Sequence, residues 1–556
     1  MPRRVKGFVA NFWFLAKIRC ILSEDTLQVA GGKWQVPATP HLQPATCNLP
    51  PSNTMSANLV NIIFGMKMRQ ARTEANMTLT EFAAACDLSP SYVTEIEKGR
   101  KYPRSDKIMK IAEVLGKSYD DLVSIRLDNS LAHLETTLAS ATFQRFPFEE
   151  FGLEPGDLVT LLTREPEKAS ALLHAVIAIA RHYDLKEEEF LRAALRSYQE
   201  IHENYFQELE DEAVTFTHDI GVQYGLTGQI PVQREVLETV LRQKYGYEID
   251  TTAIADDARL RRYRSVFIEG KRPYLCINPA LHDNQINFVL AREIGYQHLG
   301  LRERSFASTP SRIDSFQQIL NDHLAAYFGG ALLMPRQPMF ADLQDFFGRT
   351  HWAPQALLDL LTKYDATPEM LFYRFSELIP QFYGIRHHFL RFHQMDNGRY
   401  VLYKQLNLNQ LIVPHGIGLD EHYCRRWLSI RLLREQLNGE TPTFDHPLVG
   451  VQMSEFVQTR ERFLCIGVAR PLTLNSGVLS SVIIGFRVDA ELSQTIRFAD
   501  DPAIPMVYIN ETCERCPLTA DQCSDRAAPP TILQAEEDAT ARRLALSQLR
   551  DRVRAS

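Results

Sequence analysis

The sequence has no stretch of about 20 uninterrupted apolar residues, the length a membrane-spanning helix requires. It is also short of cysteine, with nine in 556 residues. Five of these, Cys20, Cys47, Cys86, Cys276 and Cys465, stand alone. That spacing gives no disulfide framework and fits a reducing cytoplasm. An excess of positive charge is missing too. The formal net charge is -7, so contact with nucleic acid would need a local basic face. Residues 8–16 are apolar and follow Arg3, Arg4 and Lys6, but Lys17 and Arg19 cut the run and no small-x-small cleavage site follows. They are not read as a signal peptide. Residues 20–54 show no periodicity and are expected to be disordered. Met55 stands just before the first helical pattern, so residues 1–54 read as a disordered segment or as preceding the working start.

What remains is ordinary globular sequence, 45% apolar and 23% charged, long enough for two to four domains. From residue 58 the pattern is short-period helix. Phe64, Met68 and Ala71 lie on one face. Thr78 with Glu81 three residues on makes a capping box for a second helix carrying Phe82, Ala83 and Cys86. Asp87-Leu88-Ser89 is a tight turn. Ser89 caps a third helix and Pro90 takes its first position, where a missing N–H costs nothing. Val93 and Ile96 point inward, leaving Ser91, Glu95 and Lys98 on the opposite face. Gly99 ends this helix. Ser105 opens a fourth, with Ile108, Ile111, Ala112 and Leu115 inward, and residues 120–124 supply a short fifth.

Two short helices joined by a three-residue turn, the second with a free polar face, suit a DNA major groove. Lys98, Arg100, Lys101 and Arg104 follow closely and can neutralise phosphates. The run M-T-L-T-E-F-A-A-A-C-D-L-S-P-S-Y-V-T-E-I-E-K-G resembles the Xre/Cro-type repressor domain. It departs at Leu79, where many members have a phosphate-contacting Gln, and at Asp87, where Gly usually makes the turn. The expected DNA-contacting set is Ser89, Pro90, Ser91, Thr94, Glu95, Lys98, Arg100, Lys101 and Arg104. The partner is double-stranded DNA, and a homodimer is expected to read a twofold site. A helical bundle that binds protein is the alternative.

Residues 155–183 and 187–215 read as two helices, the second amphipathic, suited equally to joining two protomers or to packing on their own chain. Residues 232–245 are expected to be helical. Residues 265–268 and 274–277 look like a hairpin, and 285–300 a helix containing A-R-E-I-G-Y-Q-H-L-G. This run resembles the ImmA/IrrE-type metallopeptidase helix, whose working form, H-E-x-x-H, supplies two zinc ligands and a Glu that activates water. Arg292 and Tyr296 occupy the two His positions and only Glu293 remains. Arg cannot ligate zinc. The later run N-D-H-L-A-A-Y-F-G-G-A-L-L-M-P-R matches the family's next helix, with Asp322 where its carboxylate ligand lies. The expectation is a retained fold without peptidase chemistry, and Glu293 salt-bridged, with Arg292 or Arg302 as its partner. Residues 355–395 are read as helical throughout, their aromatics (Phe372, Tyr373, Phe375, Phe382, Tyr383, Phe389, Phe392) as core rather than an acyl-sized pocket.

From residue 399 strands take over, at 400–403, 450–457, 463–469 and 482–488, with a helix over 420–437. A small sensory domain of PAS or GAF type is the analogy. The tail C-E-R-C-P-L-T-A-D-Q-C-S-D-R-A-A-P-P places Cys513, Cys516 and Cys523 at metal-binding spacing. Cys424 is the expected fourth ligand, with His422 and His415 as alternatives. Structural zinc is the expected cofactor, against a redox dithiol or inert thiols. An Xre-type reader, an ImmA/IrrE-like middle without its His pair and a C-x-x-C…C…R-A-x-P-P tail together resemble the short-chain fatty acyl regulator family of bacteria, over residues 60–530. That resemblance implies control of acyl-CoA, propionate or glyoxylate metabolism genes and an acyl-CoA ligand.

The fold expected is multidomain, mainly α with α+β. Residues 58–127 form a five-helix DNA-binding domain, and 128–229 a linker and helix pair. A degenerate zincin-like domain occupies 230–395, a mixed sheet domain with the Cys motif 396–530, and a tail helix 531–556. The reading is a cytoplasmic transcription regulator, not an enzyme. Its rivals are a metallopeptidase acting on a repressor and a protein-interaction scaffold.

Overall fold

A computed structural model describes residues 54–124, 150, 187–308, 313–395, 397–414, 421–438, 443–444 and 446–555. The helix expected over 155–183 and the segment 1–53 lie outside the described residues. The chain divides into two compact units, residues 1–179 and 180–556.

The first unit holds five helices among the described residues: α1 (Thr54–Glu74), α2 (Leu79–Ala85), α3 (Pro90–Glu97), α4 (Ser105–Leu115) and α5 (Tyr119–Val123). Its core is the apolar set that periodicity selects, with Phe64, Met68, Phe82, Val93, Ile96, Ile108 and Ile111 all buried. The caps form as expected. Thr78 and Glu81 close a capping box, and the Ser89 hydroxyl accepts from the Tyr92 N–H. Asp87 adopts φ 52°, so it makes the turn in a left-handed conformation that a short polar side chain tolerates. Two features hold α1 against α3. Arg72 grips the buried Glu97 through two hydrogen bonds of 2.6 and 3.1 Å. Gly65 lets the backbones meet, since a Cβ there would lie 2.3 Å from the Ile96 carbonyl oxygen.

The second unit has two sheets. In the smaller, β1 (Glu248–Asp250) runs parallel to β3 (Tyr274–Ile277), which pairs antiparallel with β2 (Ser265–Ile268), confirming the expected hairpin. Ahead of it lie α6 (Glu187–Ile201), α7 (Gln207–Thr215) and α8 (Arg234–Thr239). The single helix expected over 187–215 is therefore broken. Glu203 and Asn204 take φ 50° and 53°, turning the chain between α6 and α7. After the sheet come α9 (Asp283–His298), α10 (Phe316–Leu333), α11 (Arg336–Gly348), α12 (Pro354–Lys363) and α13 (Pro368–Tyr383). Here α9 and α10 touch backbone to backbone. A Cβ at Gly295 would sit 2.8 Å from the Ala325 oxygen, and one at Gly329 2.9 Å from the Arg292 nitrogen.

The expectation of helix through residue 395 fails. Residues His387–Gln394 form β4, an inner strand of a six-stranded sheet with β5 (Tyr400–Asn407), β6 (Leu448–Phe456), β7 (Arg462–Leu472), β8 (Asn475–Arg487) and β9 (Met506–Ile509). The order is β5-β4-β8-β7-β6-β9. Both faces of β4 are covered, so its sequence lacks the apolar–polar alternation that marks a half-exposed strand. One face packs on α11 and α13, where Phe347 meets Phe486 and Tyr373 meets Phe389. A single core runs from Ala213 to Ile504, so the middle and C-terminal segments are not separated by a break in packing near residue 395. The other face carries α14 (Leu428–Asn438), which starts later than the expected residue 420. Gly450 and Gly467 leave room there for Leu428 and Leu432. The aromatic stripe is largely core, with Phe372, Phe375, Phe389 and Phe392 buried, although Phe382 is exposed. The tail forms α15 (Thr531–Ala555). Among the described residues no helix is long and apolar enough to cross a membrane.

The close approach of α1 to α3 yields a test. Gly65→Val should cost the N-terminal unit about 1–3 kcal/mol through overpacking. Calorimetry should show its melting midpoint lowered and that of the second unit unchanged. An unaltered first transition would contradict the packing.

Candidate functional site

The face of α3 opposite Val93 and Ile96 is open. Ser89, Pro90 and Ser91 are exposed, and Thr94, Glu95 and Lys98 half-exposed. Beyond the helix, Arg100, Lys101 and Arg104 are exposed. The backbone N–H groups of Arg100 and Lys101 both donate to the Glu95 carbonyl, so the basic segment is fixed relative to α3. Besides the capping Ser89, four of these side chains have partners within the chain. Thr94 donates its hydroxyl to the Pro90 carbonyl at 2.9 Å. Glu95 and Arg100 pair at 3.4 Å on a wetted surface, where such a pair is weak and opens readily. Lys101 lies over the Tyr92 ring, and so does Lys107, which sequence reasoning missed. Leu79 is half-buried against the core, consistent with an apolar residue at that departure from the Xre pattern.

On α9 the residues at the zincin positions make a closed polar network. Glu293 is fully buried and takes two hydrogen bonds from Arg304, of 2.6 and 2.7 Å. The partner expected, Arg292 or Arg302, is thus corrected to Arg304, which arrives from the loop after α9. Its guanidinium lies 3.7 Å from the Tyr296 ring centre and 4.0 Å from that of Phe267. The Tyr247 hydroxyl also donates to Glu293. Asp322 accepts from the Tyr296 hydroxyl at 2.9 Å and from Arg292 at 3.3 Å. His298 points away, to Glu212 and the Phe216 ring. The carboxylate that would activate water is held by a cation, and the carboxylate at the ligand position by a phenol and a guanidinium. These residues do not fit a metal ion.

Where α13 meets β4, β5, β7 and β8 there is a second polar cluster that sequence reasoning missed. Glu369 accepts from Arg391 and Arg470, each at 2.9 Å. The two guanidinium groups hold its carboxyl well below the usual range against the opposing effect of burial. Lys404 lies 3.7 Å from the Tyr373 ring centre. Burial, and then Arg391, pull its pKa down to about 8. Burial likewise lowers Arg264, with Arg391 adding to the effect. Lys404 and Arg264 are both solvent-exposed. His393 stacks on Tyr403.

The four cysteines of the tail reading also come together. The bridge between Tyr423 and Thr512 sets Cys424 beside the Cys513 loop. All four are buried and none is in a disulfide. Burial pushes the Cys424 thiol up to about 12, with Cys513 and Cys516 near enough to add to the shift. Cys424 precedes α14 rather than starting it. Among the described residues no three His, Cys, Asp or Glu side chains are arranged to hold a metal ion. His422 is held by Glu514 at 2.7 Å, and His415 lies outside the described residues.

The N-terminal unit, a small helical core with one capped helix turned outward and cations beside it, is of the DNA-reading helix-turn-helix class. Residues 68–122 match the helix-turn-helix family model, and residues 248–376 that of the IrrE N-terminal-like domain. Control protein C.BamHI of Bacillus amyloliquefaciens is 37% identical over 67 residues, which cover 12% of this chain and 83% of that protein. Among solved structures, a Mycobacterium tuberculosis transcriptional regulator aligns over 61% of this chain and 94% of its own, at 15% identity and a TM-score of 0.43. The chain belongs to the helix-turn-helix family through its N-terminal unit and is a DNA-binding transcription regulator of Xre type with an IrrE-like segment.

Removing Arg304 would leave Glu293 charged and buried. Arg304→Ala is expected to destabilise the second unit by about 3–5 kcal/mol in urea unfolding. Glu293→Ala should leave the zinc content of the purified protein unchanged. Loss of stoichiometric zinc in that variant would restore the metallopeptidase reading.

Proposed function

We propose that the chain is a cytoplasmic, homodimeric regulator whose two copies of α3 enter successive major grooves of a palindromic site, with half-sites about 34 Å or a multiple apart. The open polar face of α3, flanked by fixed cations, carries the reading. Glu95 accepts from cytosine N4 and Ser91 bonds base edges, while Ser89, Pro90, Thr94 and Lys98 line the contact. Arg100, Lys101 and Arg104 bind phosphate. Glu95→Ala should relax preference at one base pair at a cost of about 1–3 kcal/mol. Arg100→Ala should weaken all sequences alike and flatten the salt dependence. Indistinguishable effects of the two in a randomised-site selection would sink the assignment.

The regulation belongs, in this reading, to the short-chain fatty acyl type, with an acyl-CoA as ligand and no peptidase activity. The grouping of Arg264, Lys404, Arg391 and Arg470 supports it, since a phosphorylated ligand is bound through several cations. Arg391 and Arg470 are engaged with Glu369, so Arg264 and Lys404, the latter resting on the Tyr373 ring, are the cations offered to the ligand in this reading. Propionyl-CoA titrated calorimetrically should lose at least tenfold in affinity with Lys404→Ala or Arg264→Ala. Lys404 is charged only below its lowered pKa, so binding should weaken as pH rises through about 8. Wild-type affinity in both variants would place the ligand elsewhere.

The reading includes a thiolate-held metal, structural zinc, and rests on four buried thiols with Cys424 near Cys513 and Cys516 and Cys523 near Cys516, which would have to draw closer around the ion. Four sulfur donors also suit an iron–sulfur centre, which visible absorbance and elemental analysis distinguish. Cys424→Ser should release the metal as fully as Cys513→Ser. Protein without metal, and with a reversible Cys513–Cys516 disulfide, would favour redox chemistry.

A further inference from the structure

The tail helix α15 spans 25 residues and stands almost wholly in solvent. Its anchor is at its start, where the Ile532 and Leu533 N–H groups donate to the Glu514 carbonyl. Beyond that turn Leu544, Leu546, Leu549 and Val553 are all at least half exposed. A helix of this length that is wetted all round draws little stability from its own chain, since helices in proteins are held mainly by packing of an apolar face.

The sequence of α15 supplies such a face. Ile532, Ala535, Ala539, Arg542, Leu546, Leu549 and Val553 follow one another at alternating spacings of three and four. This is the a/d seam of a coiled coil, interrupted once, by Arg542. The flanking charges are segregated along the helix. Glu536, Glu537 and Asp538 lie near its start, Arg542 and Arg543 at its middle, and Arg550, Arg552 and Arg554 near its end, with Asp551 the exception. Two such helices side by side in parallel would set acid against acid and base against base. Reversed, they set acid against base at both ends.

We propose that α15 pairs with α15 of a second copy of this chain as an antiparallel two-stranded coiled coil. The register that brings Glu536 to the partner's Arg550 and Asp538 to the partner's Arg552 also sets Val553 against the partner's Ala535 and Leu549 against the partner's Ala539. Arg542 then lies beside the partner's Leu546, where its stem covers the leucine and its guanidinium reaches water. A cation at one seam position costs stability and penalises other registers. The contact deepens the dimeric reading above by naming the surface, and it does not depend on what DNA or ligand is bound.

The test uses the full-length chain, without DNA, by analytical ultracentrifugation. Variant A carries Arg550→Glu and Arg552→Glu, and variant B carries Glu536→Arg and Asp538→Arg. Each alone should raise the dimer dissociation constant about tenfold or more. An equimolar mixture of A and B should recover a tight heterodimer, and one chain carrying all four substitutions should recover a homodimer. Circular dichroism of each variant reports whether α15 remains helical. Folded A and B that self-associate as the native chain does would overturn the proposal, as would a native chain that is monomeric throughout the concentration range. A gel shift on the same variants keeps the two readings apart. Loss of self-association with base preference retained at high protein concentration supports this contact, whereas loss of base preference in Glu95→Ala bears only on α3.

Discussion

The second unit is organised around one buried cation. Arg374, on α13, has no solvent exposure. It takes Glu210 of α7 in a two-pronged grip at 2.6 and 2.8 Å, bonds Glu377 at 2.8 Å and donates to the Met334 carbonyl at 3.0 Å. Tyr327 of α10 donates to the same Glu210. Such a charge in a dry interior is tolerated only because every donor has an acceptor nearby, and loss of one partner leaves an uncompensated ion. The network therefore fixes three helices at once. It also fixes α13 as a whole, with its Glu369 and Tyr373, and through them the basic cluster. Packing and the proposed ligand site share a single helix, and its placement is electrostatic as much as apolar.

In the IrrE-like segment the acids of α9 and α10 are bonded to side chains of the chain itself. A buried carboxylate in this architecture needs a positive partner. Arg304 meets that need at Glu293, with its flat face packed on Tyr296 and Phe267. Tyr296 and Arg292 bond the half-exposed Asp322. The side chains at the two His positions thus take part in the network: both bond Asp322, and the Tyr296 ring also packs on the Arg304 guanidinium.

How much was legible in the sequence varied with the kind of signal. The N-terminal unit was readable almost residue by residue, because caps, turn residues and a 3.6-residue period act locally and agree with one another. The hairpin of β2 and β3 and the loss of the His pair were equally plain. What stayed hidden depended on contacts far apart in the chain. Strand β4 is covered on both faces, so H-H-F-L-R-F-H-Q has no alternation to betray it, and continuity with the preceding helix misled. Arg304 lies eleven residues beyond Glu293, in a loop with no periodic signal. The basic cluster draws on Arg264, Arg391, Lys404 and Arg470 from four separate segments. By contrast, Cys424 beside the Cys513 loop was reachable, since cysteine is rare enough here for its few occurrences to be matched.

The Arg72–Glu97 pair divides the labour of α3. Its inward carboxylate belongs to the scaffold, locked to α1 together with the close approach at Gly65, while its outward residues have almost no structural duty. Ser91, Glu95 and Lys98 can therefore vary without disturbing the core, but Glu97 cannot. Descendants of this chain are free to drift to new operators through those outward positions, and a grafted reading helix would fold here only if it kept an acid where Glu97 stands.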